Sequence, residues 1–303
     1  MQGSPLNNWG HMMLTLRAAL DGYIAEVVNL RSRTVSFYRS AVNSFESWLG
    51  READVTDLTK ANVVGLMRAT IDGGHSARTA NNKRSVLITL WRYAAAEGYL
   101  DPPPTIRKAH EEHAAPKAWT LRQIEAALQA AEHAKIYKGW GPRHWVALIH
   151  VCYATASRIG AVAKLPRDAF DGRYLRTPAS AAKCRRELIH RLPDACVAAI
   201  NAMPAIDGSD RLLFPSPYEV PHGGIQEAFR RHVATPAGIN DEIDRVFHGI
   251  RRHSYTVVAD KLGFDAAGAL AGHTCDMRAK YFDPRLARHA VDPVTALPEL
   301  KAG

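Results

Sequence analysis

The sequence is poor in cysteine, and none of it is arranged to hold a metal. Only Cys152, Cys184, Cys196 and Cys275 occur in 303 residues, and no two stand in a CxxC spacing. A structural zinc site is therefore not expected, and the four are read as free thiols of a reducing, cytoplasmic compartment. No apolar run in the sequence reaches the ~18 residues that a membrane span needs, so no membrane partner is expected. The opening segment MQGSPLNNWGHMM has no basic stretch followed by an apolar core, so a secretory leader is not expected either. Internal repeats and low-complexity tracts are missing, which argues against a solenoid or a disordered polymer.

What is present is a basic, globular composition. Hydrophobic residues make up 47% and the formal charge is +9, with a pI of about 9.5. A soluble basic chain of this kind usually meets a polyanion, most often nucleic acid. The length suits two domains of ordinary size.

The apolar spacing is mostly helical. Leu16, Leu20, Ile24 and Val27 recur at helical intervals, as do Val35, Tyr38, Val42, Phe45 and Leu49, with Gly50 placed as a C-cap. ARTANNKRSVLITLWRYAAAEG predicts a long helix whose first half is basic and whose second half is apolar. Pro102 to Pro104 then end all helical pattern, and residues 101–118 are read as a linker. The HEEH inside it has its histidines three apart, which is not the zinc-protease spacing, and is read as a solvated segment. Thr120 and Gln123 form a capping-box signal that opens the second domain. GRYLRTPASAAKCRRELIHRLP loses the helical period and predicts a small β-hairpin. The expected organisation is an N-terminal tail (1–12), a helical domain (13–100), the linker (101–118), an α-rich second domain with one small hairpin (119–284) and a C-terminal tail (285–303).

Four separated places carry residues suited to a phosphate. They are Arg158 in TASRIGAVAKL, Lys183 in AAKCRRE, His248 and Arg251 in HGIRRHS, and His273 with Tyr281 in GHTCDMRAKY. Taken together, their order resembles the tyrosine recombinase, or phage integrase, family. HGIRRHSYTVVADKLG is similar to that family's HxLRR/HxLRH box, LAGHTCDMRAKY to its LGH…Y box and ATASRIGAVAKL to its first arginine box. The helical front end is similar to its core-binding, SAM-like domain. The resemblance implies a two-domain, C-shaped clamp around double-stranded DNA and four protomers at a synapse. It implies strand breakage and rejoining through a phosphotyrosine on Tyr281, with no cofactor and no metal.

The same resemblance implies the roles. Arg158 and Arg251 would hold the scissile phosphate, Lys183 would be the hairpin lysine, and His248 and His273 the two histidines. The chemistry supports such a set. A tyrosine hydroxyl ionises near pH 10 and needs help to attack at neutral pH. Two guanidiniums can bind the non-bridging oxygens in fixed fork geometry as charge builds. His248, one turn from Arg251, suits the base, and Lys183 suits the proton donor for the leaving 5′ oxygen. Arg78, Asn81, Asn82, Lys83 and Arg84 in the first domain, with Arg185 and Arg186 in the second, are the expected DNA contacts, the asparagines toward base edges. Three features differ from the family pattern: Ala161 stands where an acidic residue is common, Arg252 fills the second box position, and the step from His273 to Tyr281 is one residue short. Tyr255 is the rival nucleophile. A type IB topoisomerase activity and a catalytically inactive DNA-binding protein of this fold stay open as alternatives. The apolar residues Leu286, Val291, Val294, Leu297 and Leu300 suggest that the tail tethers a neighbouring protomer.

Overall fold

The computed structural model describes residues 14–28, 30–112, 115–137, 139–182, 186–205, 211–215, 221–239, 246–272 and 281–282. The chain divides into two compact units, residues 1–113 and 114–303.

The first unit is built on four helices: α1 (Leu16–Glu26), α2 (Ser32–Leu49), α3 (Lys60–Asp72) and α4 (Ala77–Ala96). Three of the four starts have a side-chain cap. The hydroxyls of Thr15, Thr59 and Ser76 accept from backbone amides in the first turns of α1, α3 and α4, which satisfies donors the helix cannot. Gly50 ends α2 at φ 74°, a left-handed cap that costs glycine nothing. Leu16, Leu20, Val42, Phe45, Val63, Leu66, Leu87 and Leu90 meet in its core. The Arg17–Glu46 ion pair fixes α1 on α2.

The expected linker is the main departure. Ile106 is 2% exposed and belongs to the first unit's core. Trp91 Nε1 donates to Asp101 O at 2.9 Å, and Arg84 Nε donates to Ile106 O at 3.0 Å. Asn81 Nδ2 donates to Ala109 O at 2.9 Å while its Oδ1 accepts from Ala109 N at 2.8 Å. The prolines do stop the helix, but the stretch from Asp101 to Glu111 is bound along α4 instead of hanging between units. A stretch outside helix and sheet must place its amides and carbonyls somewhere, and side chains of α4 take those of Asp101, Ile106 and Ala109.

The second unit contains α5 (Leu121–Glu132), α6 (Pro142–Thr155), a short α7 (Ile159–Val162), α8 (Asp194–Asn201), α9 (Pro221–Phe229), α10 (Val246–Leu262) and α11 (Phe264–Ala271). The capping box at Thr120 and Gln123 opens α5 as expected. Residues 230–234 continue α9 as a single π-type turn. β1 (Tyr174–Thr177) and β2 (Leu188–Arg191) pair antiparallel, with Leu175 opposite His190 and Thr177 opposite Leu188. The apolar helix α6 lies in the core with Trp119, Trp140, Phe229 and Phe247 around it. Cys152 and Cys196 are buried free thiols in that core; Cys184 and Cys275 lie outside the described residues. No described helix is long and apolar enough to cross a membrane. The tail 285–303 lies outside the described residues.

Candidate active site

The site grows from the turn after α6. Thr155 Oγ1 donates back to Val151 O at 2.7 Å and accepts from Ser157 N at 3.2 Å. Between them Ala156 takes a left-handed conformation, φ 46° and ψ 28°. A residue with a Cβ pays about 1 kcal/mol for that. The reward is direction: the chain turns sharply, Arg158 starts α7, and the Ala156 carbonyl points at α10.

Arg251 answers it. It is 1% exposed. Its Nη1 donates to Ala156 O, and its Nη2 donates to Ala271 O at 3.0 Å. Two backbone carbonyls on separate elements thus fix the guanidinium plane, as a buried arginine requires.

Tyr281 closes the arrangement. Arg158 Nη2 donates to its hydroxyl at 3.0 Å, and the Arg251 guanidinium carbon stands 4.6 Å from its ring centre. The residue is 6% exposed and packs with Ala156, Tyr255, Ala267 and Ala271. Burial alone pushes the phenol up, yet the charges of Arg251 and Arg158 and their hydrogen bonds outweigh it, so the pKa lies below the ordinary tyrosine value. That is the direction a nucleophile needs.

The remaining sequence candidates distribute as follows. His248 lies on α10, one turn before Arg251 and partly exposed. Lys183, Arg185 and His273 lie outside the described residues. Tyr255 is fully buried in the middle of α10, its ring 5.8 Å from that of Tyr281. In the first unit Arg78 and Asn82 are exposed, and Lys83 is partly exposed with its Nζ 3.3 Å from Thr70 Oγ1. Arg186 is exposed just before β2.

Two expected DNA contacts are redirected. Asn81 is 4% exposed and spends its amide on Ala109 and Glu111, so it does not face a base edge. Arg84 is bound to the Ile106 carbonyl, and burial holds its pKa below the usual arginine value. Both hold the stretch beyond Pro104.

The fold and first domain place the chain among known proteins. Residues 20–98 match the family described as phage integrase, N-terminal SAM-like domain. The first domain is thus similar to that of phage integrases, and the chain as a whole is similar in fold to solved integrases. A lambda integrase tetramer bound to a Holliday junction matches with a TM-score of 0.69 at 23% identity, over 91% of this chain and 79% of that one. The Tn1549 transposon integrase in complex with transposon right end DNA matches with a TM-score of 0.69 at 15% identity, over 93% of this chain and all of that one, 100%. A protein of Pseudomonas aeruginosa described as tyrosine recombinase XerC is 26% identical over 151 residues, 44% of this chain and 34% of that protein. The match thus spans about a third of the length of that curated relative.

Within this fold, two arrangements go beyond what the sequence reading identified. One is the back of the HGIRRHS box. Trp119 N donates to Gly249 O at 3.2 Å, Arg252 Nη1 donates to Lys117 O at 2.9 Å, and His253 Nδ1 meets Trp119 O at 2.7 Å. The adjacent positions in the box were the signal, since residues one and two beyond Arg251 turn away from its face. The other is an open groove of about 570 Å³ in the first unit, lined by Ser36, Arg39, Ser40, Asn43, Ser47 and Lys83. Arg17 Nη2 donates to Asn43 Oδ1 at 3.1 Å, which leaves the Asn43 amide nitrogen for another acceptor. The polar face of α2 carried that signal.

Proposed function

We propose that the chain is a site-specific DNA recombinase that cuts and rejoins DNA through a 3′-phosphotyrosine on Tyr281. The observation that carries the proposal is the convergence of Arg158 and Arg251, from two distant segments, on one phenol. In the step, Tyr281 Oη attacks phosphorus as its proton passes to His248. The bond from phosphorus to the 5′ oxygen breaks, and that oxygen takes a proton from Lys183. Arg158, Arg251 and His273 hold the non-bridging oxygens while their charge grows. The phosphotyrosine keeps the bond energy, so a second 5′-hydroxyl reseals the strand without a nucleotide cofactor.

Double-stranded DNA is the partner. Arg78, Asn82, Lys83 and the α2 groove in the first unit, with Arg185 and Arg186 in the second, contact phosphates and supply affinity that falls with salt. Strand exchange pairs two duplexes and engages four protomers. The setting is the cytoplasm, at the nucleoid.

Covalent trapping tests this. Duplexes from the flanks of the chain's own gene, nicked so that the cut fragment diffuses away, are incubated with protein and resolved in SDS. The wild type and Tyr255→Phe form an adduct; Tyr281→Phe does not. An adduct that survives in Tyr281→Phe removes Tyr281 from the role. No adduct on DNA that the protein binds makes it a binding protein. Relaxation of supercoils without exchange between two sites makes it a topoisomerase.

A further inference from the structure

Outside the arginine pair, one buried histidine joins two elements that lead into the site. His190 sits on β2 and is 7% exposed. Its Nε2 lies 2.8 Å from Leu270 O, near the end of α11. A carbonyl only accepts, so the proton is on Nε2 and the imidazole donates. Burial depresses its pKa, although the bond to Leu270 opposes this.

The neighbouring contact runs the same way. Gly272 caps α11 at φ 64°, and a Cβ there would stand 2.5 Å from Leu188 Cδ1. Leu188 therefore rests against the bare glycine backbone, two residues from His190 on the same strand. Arg251 holds the carbonyl between these two contacts, at Ala271. Three consecutive residues are thus each held: Leu270 by His190, Ala271 by Arg251 and Gly272 by Leu188.

The chain leaves this clasp in two directions. His273 follows Gly272 directly, and Lys183 lies in the connection between Thr177 and Leu188. A ribbon of two short strands has little stability of its own. Where it sits, and so where its connecting loop starts, depends on what its base is fastened to.

We propose that His190 is a positioning residue for the leaving-group proton: it fastens the base of the Lys183 hairpin to the α11 end that Arg251 holds. The proposal rests on the recombinase reading above. The imidazole touches neither DNA nor the reacting atoms. Its bond to Leu270, with Leu188 against Gly272, sets the starting points of the Lys183 and His273 segments from one place.

The test uses leaving-group chemistry. In ordinary DNA the 5′ oxygen needs a proton as the P–O bond breaks. In DNA with sulfur at that bridging position the leaving thiolate is a far weaker base than an alkoxide and departs without a proton. Single-turnover adduct formation is measured on both substrates at the position mapped by trapping, with protein in saturating excess. His190→Leu slows cleavage of ordinary DNA by about tenfold to a hundredfold, part of what a general acid supplies. On bridging-sulfur DNA it stays within about threefold of wild type, because the step no longer draws on Lys183. His190→Gln, which keeps a donor for Leu270 O, restores most of the rate on ordinary DNA. Equal slowing on both substrates, or no slowing on either, overturns the proposal, since general loosening of the fold does not discriminate oxygen from sulfur. If His190→Leu fails to fold, Leu188→Ala carries the same comparison and the same two outcomes. A wild type that forms no adduct sinks the recombinase reading and this one with it. A wild type that does, with no difference between substrates, sinks this one alone.

Discussion

Arg84 on α4 and Arg251 on α10 are alike in several ways. Each is a basic residue inside a basic run on a long helix, and each is drawn inward to bind main-chain carbonyls. They differ in what stands beside the guanidinium. Arg84 meets the Ile106 carbonyl and finishes there; its helix holds a stretch of chain. Arg251 meets two carbonyls and also carries Tyr281 at 4.6 Å. An inward arginine is therefore not evidence of chemistry. The evidence is a reactive group within reach of a guanidinium whose plane is already fixed.

Substitutions should separate the two cases, and the largest effect belongs to Arg251. Arg251→Lys keeps charge but loses the fork that binds two carbonyls at once. Single-turnover adduct formation should fall by about a hundredfold to a thousandfold, the usual loss for a group aimed at developing phosphate charge. A loss under tenfold, in protein that melts like wild type, would place Arg251 with Arg84 as a structural residue.

The next effect concerns Arg158 and pH. Its charge and its bond both lower the Tyr281 pKa. Removing them in Arg158→Met raises that pKa, so less phenolate is present at any pH below it. The limb of the rate profile that reports Tyr281 ionisation should move to higher pH than in wild type, besides the lower rate from the lost phosphate contact. Profiles that differ in height but not in position would show that Arg158 does not tune the phenol.

Arg84 should give the smallest change, and of another kind. Arg84→Met removes a partner from the Ile106 carbonyl and should cost about 1–3 kcal/mol of stability in the first unit. Adduct formation per folded, DNA-bound molecule should stay near the wild-type rate. Loss of affinity with unchanged stability would return Arg84 to the DNA contacts from which its geometry removes it.

How legible each region was follows from the range of the interactions involved. Gly50 and the Thr120–Gln123 pair could be read directly, because a cap is decided within a few residues. The hairpin was visible as a loss of helical period between Gly172 and Pro193. Asn81 and Arg84 read as DNA contacts on a basic helix, since nothing near them announces that residues 106–111 lie against them. Ala156 was illegible for the opposite reason: left-handed turns are signalled by glycine or asparagine, and ATASR contains neither. Arg158, Arg251 and Tyr281 stand out by their order along the chain, which carries no distance. Their proximity is a property of the fold. Lys183, Arg185 and His273 lie outside the described residues.

The divided labour of α10 also limits how its gene can change. From Gly249 to His253 the helix holds the Lys117–Trp119 backbone with one face and the Ala156 and Ala271 carbonyls with another. A substitution at Arg252 touches one duty and leaves the other. An inserted or deleted codon between them is different, because each residue advances the helix by about 100° and 1.5 Å. Restoring either face then misplaces the other, and no single compensating substitution repairs both. Length within this short segment is more tightly constrained than the identity of most of its residues.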